Sequence, residues 1–163
     1  MFETYENFAF APELRASFAA GTLIETWRSR YPHLFDAADV RVARNQAFRG
    51  YHFVEWFTAV QLLETHGLYS LQEGYTYASH TAKRARLLEI AGQPLQMVLA
   101  GVPAADRFRF PDLFVYRPGT AEWFFVEVKG PGDRLRPSQV RFFSGLEEGA
   151  GRPVRLVTVY AAA

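Results

Sequence analysis

Residues 108–135, FRFPDLFVYRPGTAEWFFVEVKGPGDRL, carry the pattern that decides the fold. Two apolar runs flank Pro118-Gly119, a strong turn signal, and predict antiparallel strands over about 112–117 and 122–129. A four-residue loop from Pro118 to Ala121 sets their register. Arg117 then faces Glu122, Phe114 faces Phe125, and Asp112 faces Glu127. Directly opposed residues share a face with Cβ atoms roughly 4.5–5.5 Å apart, so the last of these pairs is repulsive. Lys129, two residues beyond Glu127, projects from that same face, while Val126 and Val128 point to the other. A hard divalent cation between the two carboxylates would relieve the repulsion. Mg²⁺ favours oxygen ligands, typically one or two carboxylates with waters and a substrate phosphate. A lysine alongside can orient an attacking water or steady charge developing on phosphorus. The competing reading is a solvent-facing hairpin edge on which Lys129 merely neutralises the acids.

Outward from the hairpin, the clearest helix is YHFVEWFTAVQLLETH, about 51–66, stopped by Gly67. Residues 80–100 predict two helical pieces split by Gly92 and Pro94. A helix from about Ser138 to Glu148 follows the polar loop GPGDRLRP, and PVRLVTVY, 153–160, reads as a final strand. Residues 1–48 are broken by Gly21 and Pro32 and are expected to hold one or two short helices. No repeat, low-complexity segment or linker interrupts the 163 residues, so the chain is expected to be one domain. Its parts would be a helical extension over 1–48 and a core over 49–160, with a helical insertion near 78–105.

The composition is that of a folded protein, 49% hydrophobic and 21% charged, and its 15 Phe, 8 Tyr and 3 Trp supply a large apolar area to bury. Without cysteine there are no disulfides and no thiolate zinc sites. The acidic start, MFETYENFAF, lacks a secretory n-region, and no apolar run approaches the roughly 20 residues of a membrane span. A cytoplasmic protein with no membrane partner is expected. Net charge is only +1, but residues 1–75 hold six arginines against nine acids, and residues 76–163 hold twelve basic residues against eight acids. A basic half suits phosphate, and a mixed solvated surface accounts for the numbers equally well. The histidines, His33, His52, His66 and His80, form no HExxH or zinc spacing and are expected at the surface or at helix caps.

Pro111-Asp112 followed by Glu127-Val128-Lys129 resembles the PD-(D/E)xK signature of the restriction-endonuclease-like superfamily. The longer string PDLFVYR, FVEVKGPGDRLRPSQVRFF and PVRLVTV is similar to the VRR-NUC (virus-type replication-repair nuclease) family, in which PDL, EVKGP and DRL-x-x-x-Q occur in this order. The resemblance implies an α/β fold with a restriction-endonuclease-like core: a small mixed β-sheet flanked by helices, here with extra N-terminal helices. It implies Mg²⁺- or Mn²⁺-dependent hydrolysis of DNA phosphodiesters, commonly in branched or flapped DNA of repair or replication, and pairing into a homodimer in some members. Asp112 and Glu127 would be metal ligands, with the Val128 carbonyl between them, and Lys129 the catalytic lysine. Gln139 matches the glutamine of DRL-x-x-x-Q.

The family also places an acid on the helix before the sheet, where it completes the metal shell as a further ligand. Glu55 and Glu64 are the candidates; nine helical residues turn through about 900°, so the two point opposite ways, and Glu55 fits the family's position better. The glycine usual before Pro-Asp is Phe110 here.

Gln139 also heads an inward stripe with Phe142, Phe143 and Leu146 at i, i+3, i+4 and i+7. A buried amide there needs partners, and capping the start of its own helix is the other reading. Arg134, Arg136 and Arg141 are the first choices for phosphate contacts, since guanidinium matches phosphate oxygens, although ordinary surface arginines are as good a reading. His80, Lys83, Arg84 and Arg86 either grip phosphate or form a solvated helix face. A non-catalytic DNA-binding or partner-docking module on the same fold is the alternative to a nuclease, and an RNA-directed nuclease is a third reading.

Overall fold

The computed structural model describes residues 2–72 and 74–163. In chain order, the elements are β1 (Thr4–Phe10), α1 (Pro12–Ala19), α2 (Thr22–Arg30), α3 (Ala37–Gln46), α4 (Phe53–His66) and β2 (Tyr69–Leu71). They continue with α5 (Thr81–Gly101), β3 (Leu113–Tyr116), β4 (Trp123–Lys129), α6 (Pro137–Ala150) and β5 (Val154–Ala161). Short 3₁₀ turns cover Ala47–Arg49 and Ala104–Arg109. Among the described residues the strands form one mixed sheet in the order β1-β5-β4-β3-β2. β4 is central, antiparallel to β3 and parallel to β5. Among the described residues no helix is long and apolar enough to cross a membrane.

The register of the hairpin is the one its turn dictates. Phe114 pairs with Phe125 and Leu113 with Val126. At the loop, Arg117 Nε donates to Glu122 Oε2 at 2.7 Å. The pleat then sorts alternate side chains onto two cores. Leu113, Val115, Phe124, Val126 and Val128 pack beneath α1–α4 with Phe18, Ile24, Trp27 and Trp56. Phe114, Trp123 and Phe125 face α5 and α6, against Leu87, Leu95, Phe143 and Leu146. Glu127 and Lys129 continue the second face, where α6 meets them with the amide of Gln139 in place of an apolar side chain. That is how a central strand comes to carry charge.

Helix α4 ends at Gly67, whose φ of 65° suits the left-handed cap. The Leu68 N–H reaches back to the Leu62 carbonyl, and Arg117 Nη1 donates to the His66 carbonyl at 2.7 Å. One arginine thus ties the hairpin loop to the helix that carries Glu55. The two pieces expected over residues 80–100 are both present: α5 is two helices that meet at a kink at Gly92, where φ is 69° and ψ is −159°, two residues before Pro94. Freeing the helix there is consistent with the ring of Pro94, which cannot continue an ordinary i→i−4 ladder.

Two expectations need correction. Residues 1–48 contain three helices rather than one or two, and they open with a strand. β1 runs parallel to β5, pairing Phe8 with Val159 and burying Phe8 and Phe10. The helices that follow put Phe18, Ile24, Trp27 and Val40 into the core beneath the sheet. β2, also unforeseen, is three residues long and extends the sheet beyond β3. Lys83 is the second correction. It is neither a phosphate grip nor part of a solvated face, but 6% exposed, paired with the equally buried Asp39 and donating to the Gln72 carbonyl at 2.9 Å.

Candidate active site and metal centre

The site lies where β3 begins and β4 ends. Pro111 stops the β3 ladder because it has no N–H to give, and its carbonyl accepts from the buried Tyr75 hydroxyl at 2.6 Å. Asp112 follows, and its Oδ2 accepts the backbone N–H of Val128 at 2.8 Å. In a strand the N–H and C=O of one residue point to the same edge. The Val128 carbonyl therefore aims at the Asp112 side, beyond the last residue of β3.

Glu127 is 4% exposed. Its Oε1 accepts from Lys129 Nζ at 2.7 Å and from Gln139 Nε2 at 2.8 Å, and Oε2 takes no part in either bond. Gln139 does both things its position allowed. Its Oε1 accepts the backbone N–H of Arg136 at 3.1 Å, capping α6, while its Nε2 holds the Glu127 carboxylate. Lys129 Nζ lies 3.5 Å from the same Oε1. The amide therefore fixes α6, the glutamate and the lysine as one unit.

Glu55 sits in the first turn of α4. Its Oε1 is 3.8 Å from His52 Nδ1, and its Oε2 is buried with no hydrogen-bond partner among the described residues. His52 itself holds φ at 64°, alone among the described non-glycine residues in being left-handed. Such backbone outliers concentrate at functional sites. Glu64 stands elsewhere, bonded to the Tyr31 hydroxyl and 3.7 Å from Arg30. One glutamate thus borders the site and the other, half a turn away, faces the N-terminal helices.

Burial pushes the Asp112 carboxyl well above the usual carboxylate range, and the charges of Glu127 and then Glu55 push it further the same way. The Val128 N–H and Lys129 pull in the opposite direction and lose. Three carboxylates against one ammonium leave the centre short of positive charge. Among the described residues no three carboxylate or imidazole side chains are grouped closely enough to cage an ion by themselves. Two carboxylates, a strand carbonyl and waters are nevertheless the donor set a hard cation such as Mg²⁺ takes. The buried, unpartnered Glu55 oxygen and the Asp112 carboxyl, raised by burial and by its neighbours' charge, both favour a cation beside them. The residues fit a divalent metal.

Arg136 borders the groove formed by Asp112, Glu127, Ser138 and Gln139, which encloses about 190 Å³. Arg141 lines a neighbouring depression with Asp106 and Arg109, and Arg134 is exposed on the loop before α6. The structure thus brings Asp112, Glu127, Val128, Lys129 and Gln139 together, sets Glu55 and Arg136 at their border, and keeps Arg134 and Arg141 apart. Tyr75 escaped sequence reasoning, and Phe110 stood out only as a departure from the family pattern. Tyr75 supports Pro111 from a loop with no motif of its own. Phe110, in place of the family's glycine, is buried against Tyr75, Phe125 and Phe142 and anchors the peptide that aims Asp112.

A carboxylate behind a proline at the mouth of one strand, with Glu-x-Lys at the end of its antiparallel neighbour, defines a phosphodiesterase-type core of the PD-(D/E)xK pattern. The chain belongs to the VRR-NUC domain family, a nuclease family, whose family model matches residues 71–161. No curated protein matches it significantly. Among solved structures it is similar to paFAN1, crystallised with DNA bearing a 2-nt 5′ flap and a gap, at 20% identity and a TM-score of 0.36. That likeness covers 96% of this chain and 32% of the other, so the chain spans about a third of that protein. It is too loose to bear on the site.

Proposed function

We propose that this protein is a Mg²⁺- or Mn²⁺-dependent deoxyribonuclease acting on structured DNA such as flaps or junctions, in repair or replication. The observation that carries the reading is the single hydrogen-bonded unit of Glu127, Lys129 and Gln139 beside Asp112. Its membership of a nuclease family supports the same conclusion.

Asp112, Glu127 and the Val128 carbonyl would hold the cation, with Glu55 bordering them. When bound, the cation supplies Lewis-acid polarisation of the phosphodiester and offsets its charge. The chain's own residues do the positioning. Lys129 is held by the Glu127 carboxylate and the Gln139 carbonyl oxygen, so its ammonium is a fixed positive charge beside the Glu127 carboxylate instead of sampling rotamers. Such a charge can steady the oxyanion as phosphorus becomes five-coordinate or orient the water that attacks in line. Gln139 keeps the helix from drifting off the strand. Arg136, at the border, would contact a phosphate neighbouring the scissile one, with Arg134 and Arg141 further along the backbone.

The deciding experiment incubates labelled flap, nicked, single-stranded and four-way-junction DNA with the protein in Mg²⁺, Mn²⁺ or EDTA, beside Asp112→Ala. Cleavage that needs metal and vanishes in the variant is the expected result, and the preferred substrate then separates flap from junction chemistry. DNA binding without any cleavage would favour the non-catalytic module instead.

A further inference from the structure

Behind Asp112 the fold encloses a second cavity of about 240 Å³, between the start of α4, the segment after β2 and residues 107–112. Glu55 and Asp112 form its inner end, and Trp56, Gln72, Tyr75 and Phe108 contribute walls. We propose that this cavity receives one unpaired nucleobase of the DNA, turned out of the helix stack beside the phosphate held at the carboxylates. The proposal rests on the nuclease reading above and names the feature of DNA the site would select.

The first observation is an amide with nothing to bond. Gln72 is 2% exposed, yet among the described residues neither its Nε2 nor its Oε1 has a hydrogen-bond partner. The indole N–H of Trp56, 1% exposed, is likewise unpaired. Buried polar groups are nearly always satisfied, and those that are not call for an explanation. The Gln72 backbone is secured from behind, since its carbonyl accepts from Lys83 Nζ at 2.9 Å. The two amide atoms have almost no accessible surface as they stand, so the side chain has to turn toward the cavity to meet a base, to whose edge it then offers a donor and an acceptor side by side. Enzymes that take a base out of the stack read it by such hydrogen bonds and hold it against aromatic or apolar walls.

The second observation is independent of the first. Phe108 is 64% exposed, a poor place for a benzyl side chain unless something covers it. It borders both this cavity and the groove of Asp112, Glu127 and Gln139. The guanidinium of Arg109 lies 5.2 Å from its ring centroid. An exposed ring backed by a cation, between a phosphate groove and a polar cavity, is a stacking surface for a base entering from one to the other. Turning a base out costs least where it is already unpaired. The favoured substrates are therefore flaps, gaps, mismatches or single strands with an unpaired nucleotide at the cleaved bond.

The test uses the full chain, Mg²⁺ and a flap DNA in which an abasic nucleotide is moved through each position flanking the cleaved bond. At one position, and only there, kcat/KM should fall by roughly 5- to 100-fold, the range expected for losing one stacked base. Phe108→Ala and Gln72→Leu should each lower kcat/KM on intact DNA and cause no further loss on DNA abasic at that position. Phe108 is exposed, so its variant tests the idea even if Gln72→Leu folds poorly. Cleavage indifferent to the abasic position, or losses that simply multiply, would overturn the base site while leaving the nuclease reading intact. No cleavage of any DNA by the wild-type chain would overturn both.

Discussion

Two buried carboxylate–lysine pairs lie in this protein, and their difference separates architecture from chemistry. Asp39 and Lys83 join α3 to α5, with side chains 3% and 6% exposed. Asp39 also accepts the Asp36 N–H at 3.1 Å, and Lys83 donates to the Gln72 carbonyl at 2.9 Å. Glu127 and Lys129 are nearly as buried, at 5% and 13%, but Glu127 opens on a groove that it shares with a second carboxylate, Asp112, which forms no ion pair among the described residues. A closed pair with equal charges is a clamp. An open pair with surplus negative charge is a place for something positive to bind.

The largest expected effect tests the open pair. Asp112→Ala should lower cleavage by about 10⁴-fold, equivalent to roughly 5 kcal/mol of transition-state stabilisation, with DNA affinity in a filter-binding or anisotropy assay unchanged or tighter. Turnover within tenfold of wild type would remove Asp112 from the chemistry.

The closed pair should respond the other way. Lys83→Met leaves Asp39 buried without its partner and should cost about 3–5 kcal/mol in urea unfolding, with little loss of turnover per folded molecule. Replacing both residues with apolar ones of similar volume should recover most of that stability. If Lys83→Met abolished cleavage in fully folded protein, the clamp would be a catalytic group after all.

Cation binding gives the next effect. Mg²⁺ or Ca²⁺ at a hundred times its dissociation constant should stabilise the fold by about 2.7 kcal/mol and raise Tm by several degrees. The rise should disappear in Asp112→Ala and persist in Lys83→Met.

The smallest is a pH dependence. Burial pushes the Asp39 carboxyl up to about 6, against the pull of Lys83. A native state that holds a proton more tightly than the unfolded chain loses stability as pH rises through that window. The contribution of Asp39 is therefore full below about pH 4 and gone above about pH 6. The fall in urea midpoint across that range should be shallower in Asp39→Asn than in wild type. An identical slope in the two proteins would show that this carboxyl does not titrate there.

The open pair was legible in the sequence because its geometry is local. A four-residue turn and strict alternation suffice to place Asp112, Glu127 and Lys129 on one face, and the pairing of Phe114 with Phe125 has the same origin. Gln139 was legible for the same reason, through the period of its helix. The closed pair was not. Nothing around Lys83 announces an aspartate 44 residues earlier, and a lysine among arginines on a helix reads as solvated. β2 is too short to show a period. β1 has no turn linking it to its partner, and its Glu6 and Asn7 break the alternation that Phe8 and Phe10 begin. Tyr75 and Gln72 matter through what tertiary packing sets beside them, which no spacing along the chain encodes.

The parallel pairing of β1 with β5 also sets an order of events during synthesis. About 150 residues separate the two strands, which at 5–20 residues per second leaves β1 waiting roughly eight to thirty seconds for its partner to be made. During that interval its backbone N–H and C=O groups are available to any other extended chain, the hazard that charge on edge strands guards against. Glu6, facing His66 at 2.6 Å in the finished fold, is placed to serve as that guard before it has anything to pair with. β5 also supports β4 along Phe125–Lys129, so the strand bearing Glu127 gains its last neighbour only then.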